Sequence, residues 1–190
     1  MERHVITIVS GLPRSGTSMM MRMLEAGGMP LLTDGIRTAD DDNPKGYYEF
    51  ERVKQIENDQ AWLEDARGKA VKMIAALLKY LPAEYEYHVI FMRRNVAEVL
   101  ASQRRMLVHR GEATDAVPDE RMADLFQKHV EQVEAWLAQQ PNMAVLYVEH
   151  GDVLENAVSE ARRISEFVSG ALEVEAMAAA VDRSLYRQRK

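Results

Sequence analysis

Val5-Ile6-Thr7-Ile8-Val9 is an unbroken apolar and β-branched run, and it passes through Ser10 into Gly11-Leu12-Pro13-Arg14-Ser15-Gly16 and then Thr17-Ser18-Met19-Met20. A run with no polar alternation suits a strand buried on both faces, which is the environment of a parallel sheet. The two glycines, at positions 11 and 16, let the backbone turn tightly enough for successive N–H groups to face one anion. The helix that resumes at Thr17 adds the positive end of its dipole to the same point. Strand, glycine-bounded loop and helix together make a phosphate cradle, and a cradle of this kind belongs to an α/β domain. It departs from the nucleoside-triphosphate pattern G-x-x-x-x-G-K-S/T, because Thr17 stands where that pattern has Lys. Arg14 supplies the positive charge from within the loop, and Thr17 and Ser18 offer two hydroxyls to phosphate oxygens.

At Pro13-Arg14-Ser15-Gly16-Thr17-Ser18 the sequence resembles the sulfotransferases, whose 5′-phosphosulfate loop reads P-K/R-S-G-T/S-T/S. The resemblance implies that Arg14, Ser15, Gly16, Thr17 and Ser18 bind the donor 3′-phosphoadenosine 5′-phosphosulfate. A second segment, Asn43-Pro44-Lys45-Gly46-Tyr47-Tyr48-Glu49, is similar to the N-P-x-G-Y/F-W/Y-E string of bacterial sulfotransferases. A third, Arg94-Asn95 with Ser102 eight positions after the arginine, resembles the family's 3′-phosphate site, with Val96 in place of the usual proline. Arg gives bidentate, charge-assisted bonds to phosphate and Ser adds a hydroxyl donor. Where bacterial relatives carry K-D-P-R, this chain keeps Lys72 and follows it with Met73-Ile74-Ala75. His150 stands where the family often places a Tyr near the adenine, and reads either as an adenine contact or as a surface turn residue. The resemblance is specific at residues 11–18, 43–49 and 94–102, and elsewhere is one of pattern.

The implied reaction is transfer of a sulfuryl group to a hydroxyl or amine of a small-molecule, carbohydrate or peptide acceptor. A sulfuryl group carries less negative charge than a γ-phosphoryl group, so cationic side chains and N–H groups suffice and no metal is expected. Arg14 would stabilise charge as the bridge to the leaving phosphate breaks. Glu49 is the candidate base for the acceptor proton, its alternative being an ordinary acid in the first turn of a helix. His88, at a strand start, and His109, late in a helix, are rival bases. Two other classes stay open: a P-loop kinase or nucleotide hydrolase, and a non-catalytic domain that binds the donor or its bisphosphate product.

Composition narrows the rest. A length of 190 residues with 47% hydrophobic residues fits one domain over 1–190 with a sizeable core. The charge balance of 24 basic against 30 acidic residues gives −6, which offers no general attraction to nucleic acid or anionic membrane. Any anion site is therefore a local concentration of Arg and Lys. The absence of Cys removes disulfides and thiolate metal sites. No apolar run approaches ~18 residues and residues 1–10 do not read as a signal peptide, so the chain reads as soluble and cytoplasmic.

Periodicity predicts a helix over 17–26 with a Met-rich apolar face, a helix from Glu49 to about Glu64, and strands at 70–74, 89–92 and 143–148. It also predicts helices at 96–108, 119–140 and 153–168. Residues 30–46 and 111–118 are polar loops suited to border an acceptor. Asp40-Asp41-Asp42 lacks the spacing of a calcium loop. Arg104, Arg105 and Arg110 either extend a basic patch or line a solvated helix face, and the basic segment 182–190 either closes over the donor or is a frayed tail. The expected architecture is a three-layer α/β domain of P-loop type with a mostly parallel sheet, four strands being read from the residues and a fifth by analogy.

Overall fold

Along each strand successive side chains enter two different apolar clusters, and this alternation sets the layers. The computed structural model describes residues 5–36, 46, 48–109, 111, 118–168 and 171–182. Strands β1 (Ile6–Gly11), β2 (Ala70–Lys72), β3 (Tyr87–Arg93) and β4 (Met143–Glu149) form one all-parallel sheet in the order β2-β1-β3-β4. Val9 stands opposite Lys72 on one side and Ile90 on the other, and Phe91 stands opposite Tyr147.

On one face Ile6, Ile8, Val71, Tyr87, Val89 and Phe91 pack against a helical layer that includes Trp62, Leu78, Val133 and Leu137. This layer consists of 3-10 turns at Glu51–Gln55, Ala61–Leu63 and Ala75–Tyr80, together with the helix Asp119–Leu137. On the other face Val9, Ala70, Ile90, Met92 and Val148 meet Met20, Met21, Met23 and Leu24 of the helix Thr17–Ala26, with Val153, Ile164 and Met177 beyond them. The helices are α1 (Thr17–Ala26), α2 (Val96–His109), α3 (Asp119–Leu137), α4 (His150–Glu155), α5 (Ala157–Val168) and α6 (Val174–Ala179). The expected three layers are therefore present, and Met21 joins the core alongside the methionines expected there.

The chain leaves β1 toward β2 through α1 on one face, and leaves β3 toward β4 through α3 on the other. The crevice between the carboxyl ends of β1 and β3 is thus a topological switch point, where open α/β sheets bind their ligands.

Three expectations need correction. The helix from Glu49 to Glu64 is two separate 3-10 turns, because Asn58-Asp59-Gln60 interrupts it. Asp59 binds Arg52 and accepts the Ala61 N–H at 3.3 Å, while its carbonyl accepts Trp62 Nε1–H at 3.0 Å. This is side-chain competition with the helical ladder. The helix expected over 153–168 is α4 and α5, broken at Asn156 with φ −128° and ψ 49°. No fifth strand is found among the described residues. The aspartates 40–42, Arg110 and nearly all of the 111–118 loop lie outside the described residues, as does the tail from 183 onward. No helix among the described residues is long and apolar enough to cross a membrane.

Candidate functional site

The loop after β1 is shaped by two positions that tolerate no side chain. A Cβ on Gly11 would lie 2.6 Å from the Met92 carbonyl oxygen and 2.5 Å from Ser15 Oγ, so the loop is seated directly on β3. Gly16 has φ 103°, and a Cβ there would come within 2.6 Å of the His150 ring. Between them Arg14 is itself left-handed, with φ 69°. Gly16 caps α1 without any side-chain bond, the first turn carries no acid, and the first helical bond runs from Met20 N to the Gly16 carbonyl at 3.1 Å. The positive end of α1 therefore opens on the loop with no protein carboxylate set against it in that turn. Beneath it Ser15 is 1% exposed, and its Oγ has no hydrogen-bond partner among the described residues. A buried hydroxyl left this way costs about 1–3 kcal/mol unless a ligand or water satisfies it.

The cations gather around this loop from three strand ends. Arg14 Nε donates to Ser102 Oγ at 3.0 Å, and Arg94 Nη1 donates to the Arg14 carbonyl at 3.0 Å. Arg94 Nε also donates to Glu98 Oε2, one helical turn on, at 3.0 Å. At the end of β2, Lys72 Nζ donates to Ser18 Oγ at 3.3 Å and faces Glu49 Oε1 at 3.7 Å. The candidate residues 14–18, 49, 94 and 102 are thus brought together at the carboxyl edge of the sheet, joined by bonds between segments up to 88 positions apart.

Three further side chains join these residues, and two of them, Lys72 and His150, already stand out in the sequence. Lys72 reaches the first turn of α1 from the neighbouring strand, and its signal is the K-D-P-R resemblance, of which it alone is kept. Glu98 is signalled only by its i+4 spacing from Arg94. His150 opens α4 at the end of β4 and is 7% exposed, which excludes the surface-turn reading. Burial and the nearby Arg94 charge hold its pKa down to about 4, with Glu98 pulling weakly the other way. Its ring packs against Gly16.

The rival bases separate from the site. His88 lies at the amino end of β3, at the far edge of the sheet, with its ring 5.0 Å from Phe167. Burial lowers its pKa, and a bond with the Val168 backbone opposes that. His109 is the exposed last residue of α2, seven positions past Ser102, or roughly 10 Å along the helix axis.

Comparison with known proteins gives a consistent result. A family model described as "Sulfotransferase domain" matches residues 6–190. Among solved structures, the sulfotransferase domain of the curacin biosynthetic pathway is 16% identical with a TM-score of 0.54, covering 96% of this chain and 89% of its own. A sulfotransferase from Mycobacterium tuberculosis is 16% identical with a TM-score of 0.60, covering 97% and 74% respectively. A sulfotransferase from Alicyclobacillus acidocaldarius is 12% identical with a TM-score of 0.51, covering 95% and 87%. These likenesses are of fold. No curated protein matches the chain.

Proposed function

The chain belongs to the sulfotransferase domain family, which spans residues 6–190, and from that membership we propose that it moves a sulfuryl group from 3′-phosphoadenosine 5′-phosphosulfate to a hydroxyl or amine of a small acceptor. The observation that carries this reading is the pair of bonds linking Arg14 to Ser102 and Arg94 to Arg14, which ties the phosphate loop to the Arg94–Ser102 pair. One loop and one helix so linked suit a ligand with two separate phosphates.

The residues present fit such a donor. Gly11 and Gly16 let the loop close against β3 and His150 ahead of the α1 N-terminus, and Ser15 Oγ is a buried group in need of a partner. The donor supplies an electrophilic sulfur on a good leaving phosphate. The loop N–H groups, Thr17 and Ser18 hold the 5′-phosphate, and Arg94 with Ser102 holds the 3′-phosphate. Arg14 and Lys72 place positive charge beside the loop, Lys72 doing so from β2 in the absence of a lysine at position 17. These groups act where charge develops, which is the form of electrostatic stabilisation that needs no reorganisation. Glu49 accepts the acceptor's proton and passes it to solvent. The whole chain acts as one catalytic unit.

Calorimetric titration with adenosine 3′,5′-bisphosphate, against ATP with Mg²⁺, tests the reading. Micromolar bisphosphate binding is expected, weakened roughly 10- to 100-fold in Arg94→Ala by loss of a charged hydrogen bond. No bisphosphate binding together with Mg²⁺-dependent ATP binding would sink it.

A further inference from the structure

Glu49 is presented by a stretch of chain that has no regular structure until Glu51, yet several contacts converge on it. Tyr48, immediately before it, has φ 54°, and the other described non-glycine residue with positive φ is Arg14 in the phosphate loop. That conformation costs a residue bearing a Cβ on the order of 1 kcal/mol and persists only where surroundings enforce it. On one side, the Tyr48 hydroxyl donates to Glu25 Oε2 on α1 at 2.9 Å, and the ring packs on the α1 cluster. Burial and the Glu25 carboxylate push the phenol up to about 12, so it remains a donor.

On the other side stands Asp34. Its backbone N–H donates to the Glu49 carbonyl at 3.2 Å. Its carboxylate accepts the Ile36 N–H at 3.0 Å through Oδ1 and the Glu51 N–H at 2.6 Å through Oδ2. The bond to Ile36 is an ordinary Asx turn. The bond to Glu51 is different, because it spans 17 positions and serves as the missing cap of the 3-10 turn Glu51–Gln55, whose own N-cap Phe50 offers no side-chain bond. Asp34 is in turn close to a fixed point: Leu32 N donates to the Ala70 carbonyl at 2.8 Å and Ala70 N to the Pro30 carbonyl at 2.9 Å. Those two bonds tie the segment to β2, the strand that ends in Lys72. A continuous path thus runs from β2 through Asp34 to the Glu49 carbonyl and the Glu51 N–H, and the Glu49 carboxylate meets Lys72 at its end.

We propose that Asp34 is a positioning residue that sets the Glu49 carboxylate opposite Lys72, with Tyr48 as its second anchor. The role rests on the reading of Glu49 as the base, and it adds a residue that touches neither donor nor acceptor. Asp34 requires both carboxylate oxygens for this, since an amide in its place accepts one N–H and turns an NH₂ toward the other.

The test compares full-length Asp34→Ala, Asp34→Asn, Tyr48→Phe and Glu49→Gln by two measurements. The first is turnover of 3′-phosphoadenosine 5′-phosphosulfate with 2-naphthol or water as acceptor. The second is the rate at which a water-soluble N-hydroxysuccinimide acetate acylates Lys72, read by mass spectrometry. Asp34→Ala is expected to lower kcat at least about tenfold toward the Glu49→Gln value with the donor KM within about twofold, a split that general loss of structure does not produce. Lys72 acylation is expected to quicken to the Glu49→Gln rate, with Asp34→Asn and Tyr48→Phe intermediate in both. Wild-type kcat and wild-type Lys72 acylation in Asp34→Ala would overturn the proposal, as would a donor KM that rises as far as kcat falls. Where the wild type turns over neither acceptor, an unchanged Lys72 rate in Asp34→Ala overturns it alone. Wild-type kcat in Glu49→Gln, with Lys72 still released by Asp34→Ala, fails the base reading and leaves the Asp34 link standing.

Discussion

His150 is a buried, titratable side chain set against the loop that follows β1. Its ring lies over Gly16, and burial beside Arg94 lowers its pKa to about 4 from an ordinary value near 6.5. The folded protein thus holds it neutral while the unfolded chain takes up a proton below about pH 6.5. Its contribution to stability is complete above pH 6.5 and is lost progressively as pH falls to 4. A shift of this size corresponds to a loss of about 3 kcal/mol across that window. In His150→Gln the stability measured by urea unfolding should fall less steeply between pH 6.5 and pH 4 than in the wild type. Parallel profiles for the two proteins would show that His150 is protonated within the fold. Legibility at this scale was uneven. Arg14, Glu49, Arg94 and Ser102 stand out by motif position, because charge and spacing are properties of the chain. The burial of His150 and the Arg14–Ser102 bond are properties of packing between distant segments, and no local pattern carries them.

Elements behave differently according to how locally they are determined. Helix α1 begins and ends where its glycines place it, at Thr17 and Ala26, because Gly16 and Gly27 act within one turn. The strands are found where apolar runs lie, each end displaced by no more than two residues. The failures fall where a side chain competes with the backbone, at Asp59, where the backbone leaves the helical region, at Asn156, or where an apolar segment is short, as in the unanticipated α6. Docking of α3 is a further element-scale feature without a sequence signal. Arg93 makes two 2.7 Å bonds to Glu134 of α3, and its guanidinium lies 4.0 Å over the Tyr147 ring. Arg93 and Arg94 are consecutive but point to different tasks, one to the α3 layer and one to the loop. Glu134→Ala should therefore lower stability by about 1–2 kcal/mol through loss of a bidentate, partly sheltered pair. Bisphosphate affinity should stay within about twofold, in contrast to Arg94→Ala. Equal losses of affinity in both variants would mean that α3 docking and the anion site are one unit. Denaturant unfolding and calorimetry on the same samples separate the two outcomes.

At the scale of the whole molecule, strand order was the hidden variable. The sequence runs β1, β2, β3, β4, but the sheet is β2-β1-β3-β4, and only that crossing brings Lys72, the loop and Arg94 to one edge. Periodicity reports which residues are strands, and handedness rules limit the crossovers without choosing neighbours. The resulting edge is a basic spot on a chain of net charge −6. Its charges converge from β1, β2 and β3, so the proposed ligand with two phosphates would fasten together elements that the chain separates widely. Such a ligand binds the folded state alone, and at one hundred times its Kd it stabilises by about 2.7 kcal/mol. For a protein of this length that corresponds to a rise in Tm of roughly 5–10 °C. Adenosine 3′,5′-bisphosphate should produce that rise, and adenosine 5′-monophosphate at equal concentration a much smaller one, since it leaves Arg94 and Ser102 without an anion. The difference should shrink in Arg94→Ala and contract with added salt, because the cations are only partly sheltered. Equal shifts with the two nucleotides would place the second phosphate away from Arg94 and confine the binding energy to the loop and the end of α1.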